Sequence, residues 1–188
     1  MNIFYLDNDP TTCAQMHNDK HVVKMILEYA QLLSTAHRVI DGVPTIDRGG
    51  ATGRQRTSYI LPDDRDGVLY RATHINHPSA IWVRHSYENY EWLYQLFLAV
   101  LKEYTYRYGK LHACEKLVEV LRTPPTNIPK GVGFTEPTPA MPDEVKIVGS
   151  SLASYKNYYI NNKAHLASWK KRNIPEWYNR PKMNFCNI

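Results

Sequence analysis

The stretch Asp19–Ile40 constrains the fold more than any other part of the chain. Its apolar residues Val22, Met25, Ile26, Tyr29, Leu32, Leu33, Ala36, Val39 and Ile40 recur every three or four positions, the period of one side of an α-helix. Gly42 stands where such a helix would be capped. At about 1.5 Å per residue this helix is roughly 33 Å long, and its apolar stripe must be covered by other elements.

On the other side of the same stretch His17, His21, Lys24, Glu28, Gln31, Thr35 and Arg38 recur at offsets of three, four and seven. One reading is a solvated face, and the Lys24–Glu28 pair at i,i+4 suits it. Two histidines and a glutamine in the row are less typical of a solubilising surface, which leaves a polar site as the other reading.

The remaining pattern is also helical. Ile3–Leu6 is short enough for one small strand or an extended tail packed on the body, and Asp9-Pro10 reads as an N-cap followed by the first helical residue. After Asn76-His77-Pro78 the spacing of Trp82, Leu93, Leu96, Phe97, Val100, Leu101 and Tyr104 predicts a helix over 78–108, ended by Gly109. A shorter amphipathic stretch covers His112–Arg122, and a last helix is expected over 151–171. Residues 41–66 hold four glycines, two prolines and the cluster Arg48, Arg54 and Arg56, and read as a long, mobile, partly basic loop. Six prolines between Thr123 and Pro142 exclude helix there. The expected fold is mainly α, a compact bundle of three long helices (19–40, 78–108, 151–171). It forms one domain over 1–188, with 41–77 and 123–149 as loop-rich insertions.

Composition narrows the setting. With 14 Tyr, 4 Trp and 4 Phe in 188 residues, the chain is too aromatic to be disordered. Cys13, Cys114 and Cys186 show neither disulfide nor zinc spacing, so a reducing, cytoplasmic location is expected. No apolar run approaches the roughly 18 residues of a membrane span, and Asp7 and Asp9 stand where a secretory signal carries lysines. A soluble protein with no membrane partner follows.

The net charge of +5 is unevenly placed: the last 43 residues carry eight bases against Glu176 alone. Lys156, Lys163 and Lys170 are seven apart and interleave with Tyr155, Tyr158, Tyr159 and Trp169; Lys171, Arg172, Trp177, Tyr178, Arg180 and Lys182 follow. Basic groups track phosphates and aromatic faces stack on bases, so this segment, with Arg54 and Arg56, is a candidate nucleic-acid surface and DNA the expected partner. A core stripe of Leu152, Tyr155, Tyr159, Leu166 and Trp169 with a soluble lysine face is the competing reading.

His17 and His21 also stand at the spacing of helical metal ligands, and His74, His77, His85 and His112 are further donors. The glutamate of the zinc-protease motif is absent, since residue 18 is Asn, and there is no cysteine-rich knuckle. No metal or cofactor is therefore expected.

The pattern Asp19-x-His21 followed by Glu28, on a helix close behind a short apolar N-terminal segment, resembles the pyrimidine dimer DNA glycosylases of phages and bacteria. Tyr87-x-x-Tyr90-Glu91-Trp92-Leu93 leading to Tyr106-Arg107-Tyr108-Gly109 is similar to that family's central helix. The segment from Lys163 through Trp169-Lys-Lys-Arg-x-Ile-Pro-Glu-Trp177-Tyr178 is similar to its closing part. The chain also resembles phage proteins that begin with the same Met-Asn-Ile-Phe and Asp-Lys-His-Val-Val-Lys-Met runs, which would place it in an infected host cell.

The resemblance implies an all-helical, metal-free enzyme. It would attack the sugar carbon of a damaged pyrimidine with its N-terminal amine and cleave the strand through an imine, with Glu28 as the essential acid. An α-amino group titrates at about 7.7–8.0 and is partly neutral at cellular pH, as an ordinary lysine is not. Asn2 is too large for removal of the initiator to be expected, so Met1 would supply the amine. The arginines that flank the family's glutamate are replaced by Leu27 and Ile26 on one side and by apolar or neutral residues on the other, which leaves the lesion open. Lys20 and Lys24 remain alternative nucleophiles, with His21 and His17 as neighbours. A metal-dependent nucleotide or nucleic-acid hydrolase centred on His17 and His21, and a non-catalytic DNA-binding protein, are the alternatives.

Overall fold

Two side-chain caps start the helical part of the chain. In the computed structural model, which describes residues 1–48 and 55–178, the Asp9 carboxylate accepts the Thr12 N–H at 2.7 Å and Pro10 opens helix α1, Pro10–Met16. The Asn18 side chain accepts the His21 N–H at 2.9 Å and opens α2, Asp19–Asp41, as its periodicity predicts. Glycine is needed at position 42 for closeness: a Cβ there would lie 2.4 Å from the Arg38 carbonyl oxygen and 3.2 Å from that of Ile60.

The expected loop over 41–66 holds structure. Strands β1, Val43–Arg48, and β2, Gln55–Ile60, pair antiparallel from Val43↔Ile60 to Arg48↔Gln55, and a single turn of helix, α3, spans Arg65–Val68. The hairpin is fixed from α2 by Arg38. Its guanidinium donates to the Tyr59, Asp66, Leu69 and Tyr70 carbonyl oxygens and to the Asp66 carboxylate, at 2.6–2.9 Å. Asp41 similarly accepts Arg65 at 2.8 Å and the backbone N–H groups of Thr126 and Asn127.

The helix expected over 78–108 is two helices. Ser86, extended at φ −151° and ψ 157°, ends α4, Pro78–His85; its hydroxyl then accepts the Asn89 N–H at 3.1 Å and caps α5, Tyr87–Tyr108. Gly109, left-handed at φ 67°, closes α5 with its N–H on the Thr105 carbonyl. A 3₁₀ turn, Ala113–Leu117, leads into the short α6, Val118–Arg122.

The helix expected over 151–171 stops early: α7 spans Ser151–Asn162, only 12 residues, and a 3₁₀ turn follows at Ala164–Leu166. Near its end the Asn161 side chain turns back onto the Asn157 backbone oxygen, a competition that disfavours helix continuation. Beyond it the Asp19 carboxylate accepts the Ser168 hydroxyl and the Lys170 N–H, drawing the chain out across the start of α2. Among the described residues the fold is thus mainly helical, with two long helices (α2 and α5) instead of three and one small hairpin. No helix among the described residues is long and apolar enough to cross a membrane.

The core runs from Ile3 to Trp169. Ile3, Phe4, Tyr5 and Leu6 are buried as an extended segment with no strand partner among the described residues. The Cys13 thiol meets the needs of its backbone, donating to the Phe4 carbonyl at 3.2 Å and accepting the Leu6 N–H at 3.3 Å. Burial pushes that thiol up to about 12, so it stays protonated. Between α1, α2 and α5 lies the fully buried Arg107, bonded to Glu103 at 2.6 Å, Asp19 at 2.9 Å and the carbonyls of Gln15 and His17.

Candidate active site

The buried N-terminal segment leads back to Glu28 on α2. The Met1 amine lies 3.9 Å from Glu28 Oε2, and the Asn2 backbone N–H donates to the same oxygen at 3.2 Å. Lys24, one turn earlier, reaches Glu28 Oε1 at 3.2 Å. The Glu28 side chain is 13% exposed and Lys24 71%, so the carboxylate is sheltered while the lysine stands in solvent. Asn2 is itself clamped: its side chain donates to the Ala140 carbonyl at 2.8 Å and accepts the Tyr155 hydroxyl at 2.6 Å. His77 is the capping residue of α4. Burial depresses its pKa first, the Met1 ammonium and His74 add to that, and Glu28 opposes them.

His21 is 5% exposed, with its ring stacked on Phe4 at 4.0 Å and Nδ1 2.5 Å from the Tyr159 hydroxyl. Burial drives its pKa well below the ordinary range, helped by His17, Lys163 and Lys24. Lys163 and Lys24 therefore stand within electrostatic reach of one ring, although they come from opposite ends of the chain.

His17 is fully buried on the turn before α2, with Nδ1 donating to the Cys13 carbonyl at 2.7 Å and Nε2 accepting the Tyr29 hydroxyl at 2.8 Å. Its neutral form is fixed, with a pKa pushed down to about 4 by burial. Both ring nitrogens thus serve the fold. Among the described residues no group of three His, Cys, Asp or Glu side chains is gathered to hold a metal ion, so a centre on His17 and His21 lacks a ligand set.

The polar row of α2 is not a solvated face: His17, His21, Thr35 and Arg38 are buried, and Glu28 and Gln31 are half-buried. Lys20 is exposed one turn before Lys24.

The C-terminal basic residues divide. Lys156, half-buried, lies 5.7 Å from the centre of the Trp177 ring, and Lys163 4.9 Å from that of Tyr158. Lys170 is exposed beside Tyr108 but lies beyond α7, so the three lysines do not share one helix. Lys171 donates to the Tyr106 carbonyl at 2.9 Å. Arg172 is held by Glu103 at 2.8 and 3.0 Å and lies 4.4 Å from the centre of the Tyr106 ring. Trp177 donates to the Met16 sulfur at 3.3 Å and packs edge-on against Tyr159 and Tyr178, both of which help bury it. Arg54, Arg180 and Lys182 lie outside the described residues, as does the Arg56 side chain.

Two clefts, of about 550 Å³ beside Thr12, Met16 and Trp177 and about 640 Å³ beside Arg38, Tyr59 and Asp66, lie away from Met1 and Glu28. The Met1 and Glu28 side chains are only 5% and 13% exposed. Sequence reasoning missed Asn2 and Tyr155 as the clamp on that amine. They are 153 positions apart, and no local pattern joins them.

The chain is mainly helical and holds its terminal amine close to a sheltered helical carboxylate. The model of the pyrimidine dimer DNA glycosylase family matches residues 1–116, and this chain belongs to that family. The match takes in Met1, His21, Lys24 and Glu28 and ends before α7 and the basic segment that follows it. No curated protein and no solved structure matches the chain.

Proposed function

We propose that this protein is a DNA glycosylase with a lyase step, acting on a damaged or modified pyrimidine through the Met1 amine with Glu28 as its proton partner. The observation that carries this reading is the Met1–Glu28 approach of 3.9 Å in a member of a pyrimidine dimer glycosylase family. The neutral amine donates its lone pair to C1′ of the lesion as the glycosidic bond breaks. That bond's electrons leave with the base, which takes up a proton. One amine proton passes to Glu28. The C1′–O4′ bond then opens, O4′ gains a proton, and a C1′=N iminium remains. Loss of a C2′ proton expels the 3′ phosphate and cuts the strand. The Glu28 carboxylate stabilises the positive charge that develops on the sugar and relays the protons.

A second reading uses Lys24, which reaches the same carboxylate at 3.2 Å. At 71% exposure it stands in solvent, whereas the Met1 side chain is 5% exposed. Lys20, exposed as well, is weaker on the same ground.

Borohydride trapping tests the proposal. The reagent reduces the iminium to a stable amine, so wild-type protein should crosslink to an oligonucleotide carrying a thymine dimer or an abasic site. Peptide mapping should place the adduct on the N-terminal residue. Glu28→Gln, which keeps shape and loses charge, should retain DNA binding and lose the crosslink. An adduct on Lys24 would transfer the role to that side chain, and the absence of any adduct would end the amine mechanism.

A further inference from the structure

The backbone of His74 is left-handed at φ 49°, a conformation that costs a residue with a Cβ and persists only where its surroundings impose it. The surroundings here are three anchors. The Thr35 hydroxyl donates to the Thr73 carbonyl at 3.4 Å and accepts the Thr73 N–H at 3.2 Å. Arg84 donates to the Ile75 carbonyl at 2.8 Å, and the His77 N–H closes a turn on the His74 carbonyl at 2.8 Å. Glycine would take this conformation freely. The position holds instead an exposed histidine whose ring has one hydrogen bond among the described residues, Nδ1 to the Thr73 hydroxyl at 2.8 Å. His77 accepts the Ser79 N–H on Nδ1 at 3.1 Å, so the proton of its neutral ring is on Nε2. Each ring thus keeps Nε2 without a protein partner among the described residues.

The turn is pinned to the row of α2 that carries Glu28. Thr35 stands seven positions beyond Glu28 on that row, two turns and a rise of about 10.5 Å. Before Glu28 the helix exposes Lys20 and Lys24. Beyond it come Gln31, Thr35 and Arg38, and all five N–H groups of Arg38 are spent on Tyr59, Asp66, Leu69 and Tyr70. Thr35 is spent on Thr73. Donors for an anion on that side of the carboxylate therefore have to come from the turn. We infer that His74 and His77 form a clamp whose two Nε2–H groups donate to one backbone phosphate of the bound DNA strand, within about three nucleotides of the C1′ that the amine attacks. This rests on the DNA-directed reading above and adds what fixes the strand on the side of Glu28 away from Lys20 and Lys24. The reach follows from the rise along α2 against about 3.4 Å of duplex per nucleotide. A turn closed between positions four apart in count brings its end α-carbons within about 7 Å, close enough for two imidazoles to converge on one phosphate. Bonds from N–H groups to an ionised oxygen are about twice as strong as neutral ones, which offsets the backbone cost at His74. The charges of the Met1 ammonium and of Glu28 are both felt at His77, after burial, in keeping with a turn that borders the amine.

The test measures binding of the full chain, by fluorescence anisotropy, to a duplex carrying an unreactive tetrahydrofuran abasic site. Single methylphosphonates, which remove the phosphate charge, replace each of the three phosphates on either side of that site in turn. Wild-type protein should lose affinity about tenfold or more at one of these positions. In the double variant His74→Gly with His77→Asn, glycine adopts the left-handed backbone without strain and asparagine keeps the cap of α4, so Tm should stay within about 4 °C of wild type. That variant should bind the unmodified duplex about tenfold more weakly and lose nothing further at the position to which wild type is sensitive, the signature of two groups that act through one contact. A variant that binds as wild type does, or that keeps the full methylphosphonate loss at every position, would overturn the clamp. Borohydride trapping by wild type would still uphold the amine mechanism in that case. Weakening by the same factor at all positions together with a larger fall in Tm would make the turn a structural element and overturn the clamp as well. A wild type that neither binds the duplex nor traps would overturn both readings.

Discussion

Tyr155 donates its hydroxyl to the Asn2 side chain at 2.6 Å, so a helix near the end of the chain fixes the position of its first two residues. The same hydroxyl accepts the Ala140 N–H at 3.3 Å, and Asn2 bonds the Ala140 carbonyl, which closes a three-way clamp. Tyr155→Phe keeps the buried ring and removes the clamp. The loss in stability should be about 1 kcal/mol, a fall of roughly 2–4 °C in Tm. Trapping should slow about tenfold, because a loosened amine spends less time in line with its target. A variant that traps at the wild-type rate would show that Asn2 does not position the nucleophile.

The sequence made α2 legible to within a residue, because its apolar period ran from Val22 to Ile40 and Gly42 stood just past its end. It did not reveal the break at Ser86, since the apolar positions on either side of that residue keep helical spacing while the hydroxyl starts a new helix. The hairpin stayed hidden because Val43, Ile46 and Ile60 lie exposed, leaving no buried alternation to read. The early end of α7 depends on Asp19, about 150 positions away, which no local window contains. At the site, Glu28 and the N-terminal segment could be joined by reasoning, because an apolar tetrapeptide needs a surface to cover. The burial of His17 and His21 against tyrosines could not, since Tyr29 and Tyr159 become their partners only in three dimensions.

Three buried histidines each meet a tyrosine hydroxyl: His17 with Tyr29, His21 with Tyr159 and His37 with Tyr90. Burial lowers all three pKa values, to about 4 for His17 and His37. The folded rings are neutral, whereas those of the unfolded chain take up protons near pH 6.5. Stability is therefore fully present above that pH and declines as pH falls toward the folded values. The slope should be on the order of 1.4 kcal/mol per pH unit for each ring. Asp19, Asp41 and Glu103, whose pKa values are lowered, add their losses only below the ordinary carboxylate range. Urea midpoints should drop between pH 6.5 and 5, and His37→Gln should flatten that drop. A midpoint constant over this interval would contradict neutral rings.

Arg107 is fully buried and holds Asp19, Glu103 and two backbone carbonyls, tying α5 to the turn that places His17 and to the start of α2. Removing one member of a buried ion network strands the others. Arg107→Met should cost about 3–5 kcal/mol, even though Met fills most of the space. Denaturant titration should show a lower midpoint with an unchanged m value. A loss below about 1 kcal/mol would mean that Glu103 and Asp19 are adequately served without Arg107, Glu103 by Arg172 and Asp19 by Ser168 and the Lys170 N–H.

The C-terminal bases should separate by what already holds them. Arg172 is anchored by two bonds to Glu103 and by the Tyr106 face, while Lys170 is exposed and Lys163 half-buried beside Tyr158. A cation already neutralised by a carboxylate releases few counterions when DNA approaches, whereas an unpaired lysine releases about one. For duplex binding, the slope of log affinity against log salt should therefore become shallower by about 0.9 for each of Lys163→Ala and Lys170→Ala. Arg172→Ala should leave the slope nearly unchanged and instead lower the denaturation midpoint, because Glu103 then keeps only Arg107. If Arg172→Ala flattens the slope as much as the lysine variants do, its ion pair opens on DNA and the guanidinium joins the binding surface. If neither lysine variant changes the slope, this segment is a solvated face, and the phosphate contacts come from the exposed half of α2, through Lys20 and Lys24.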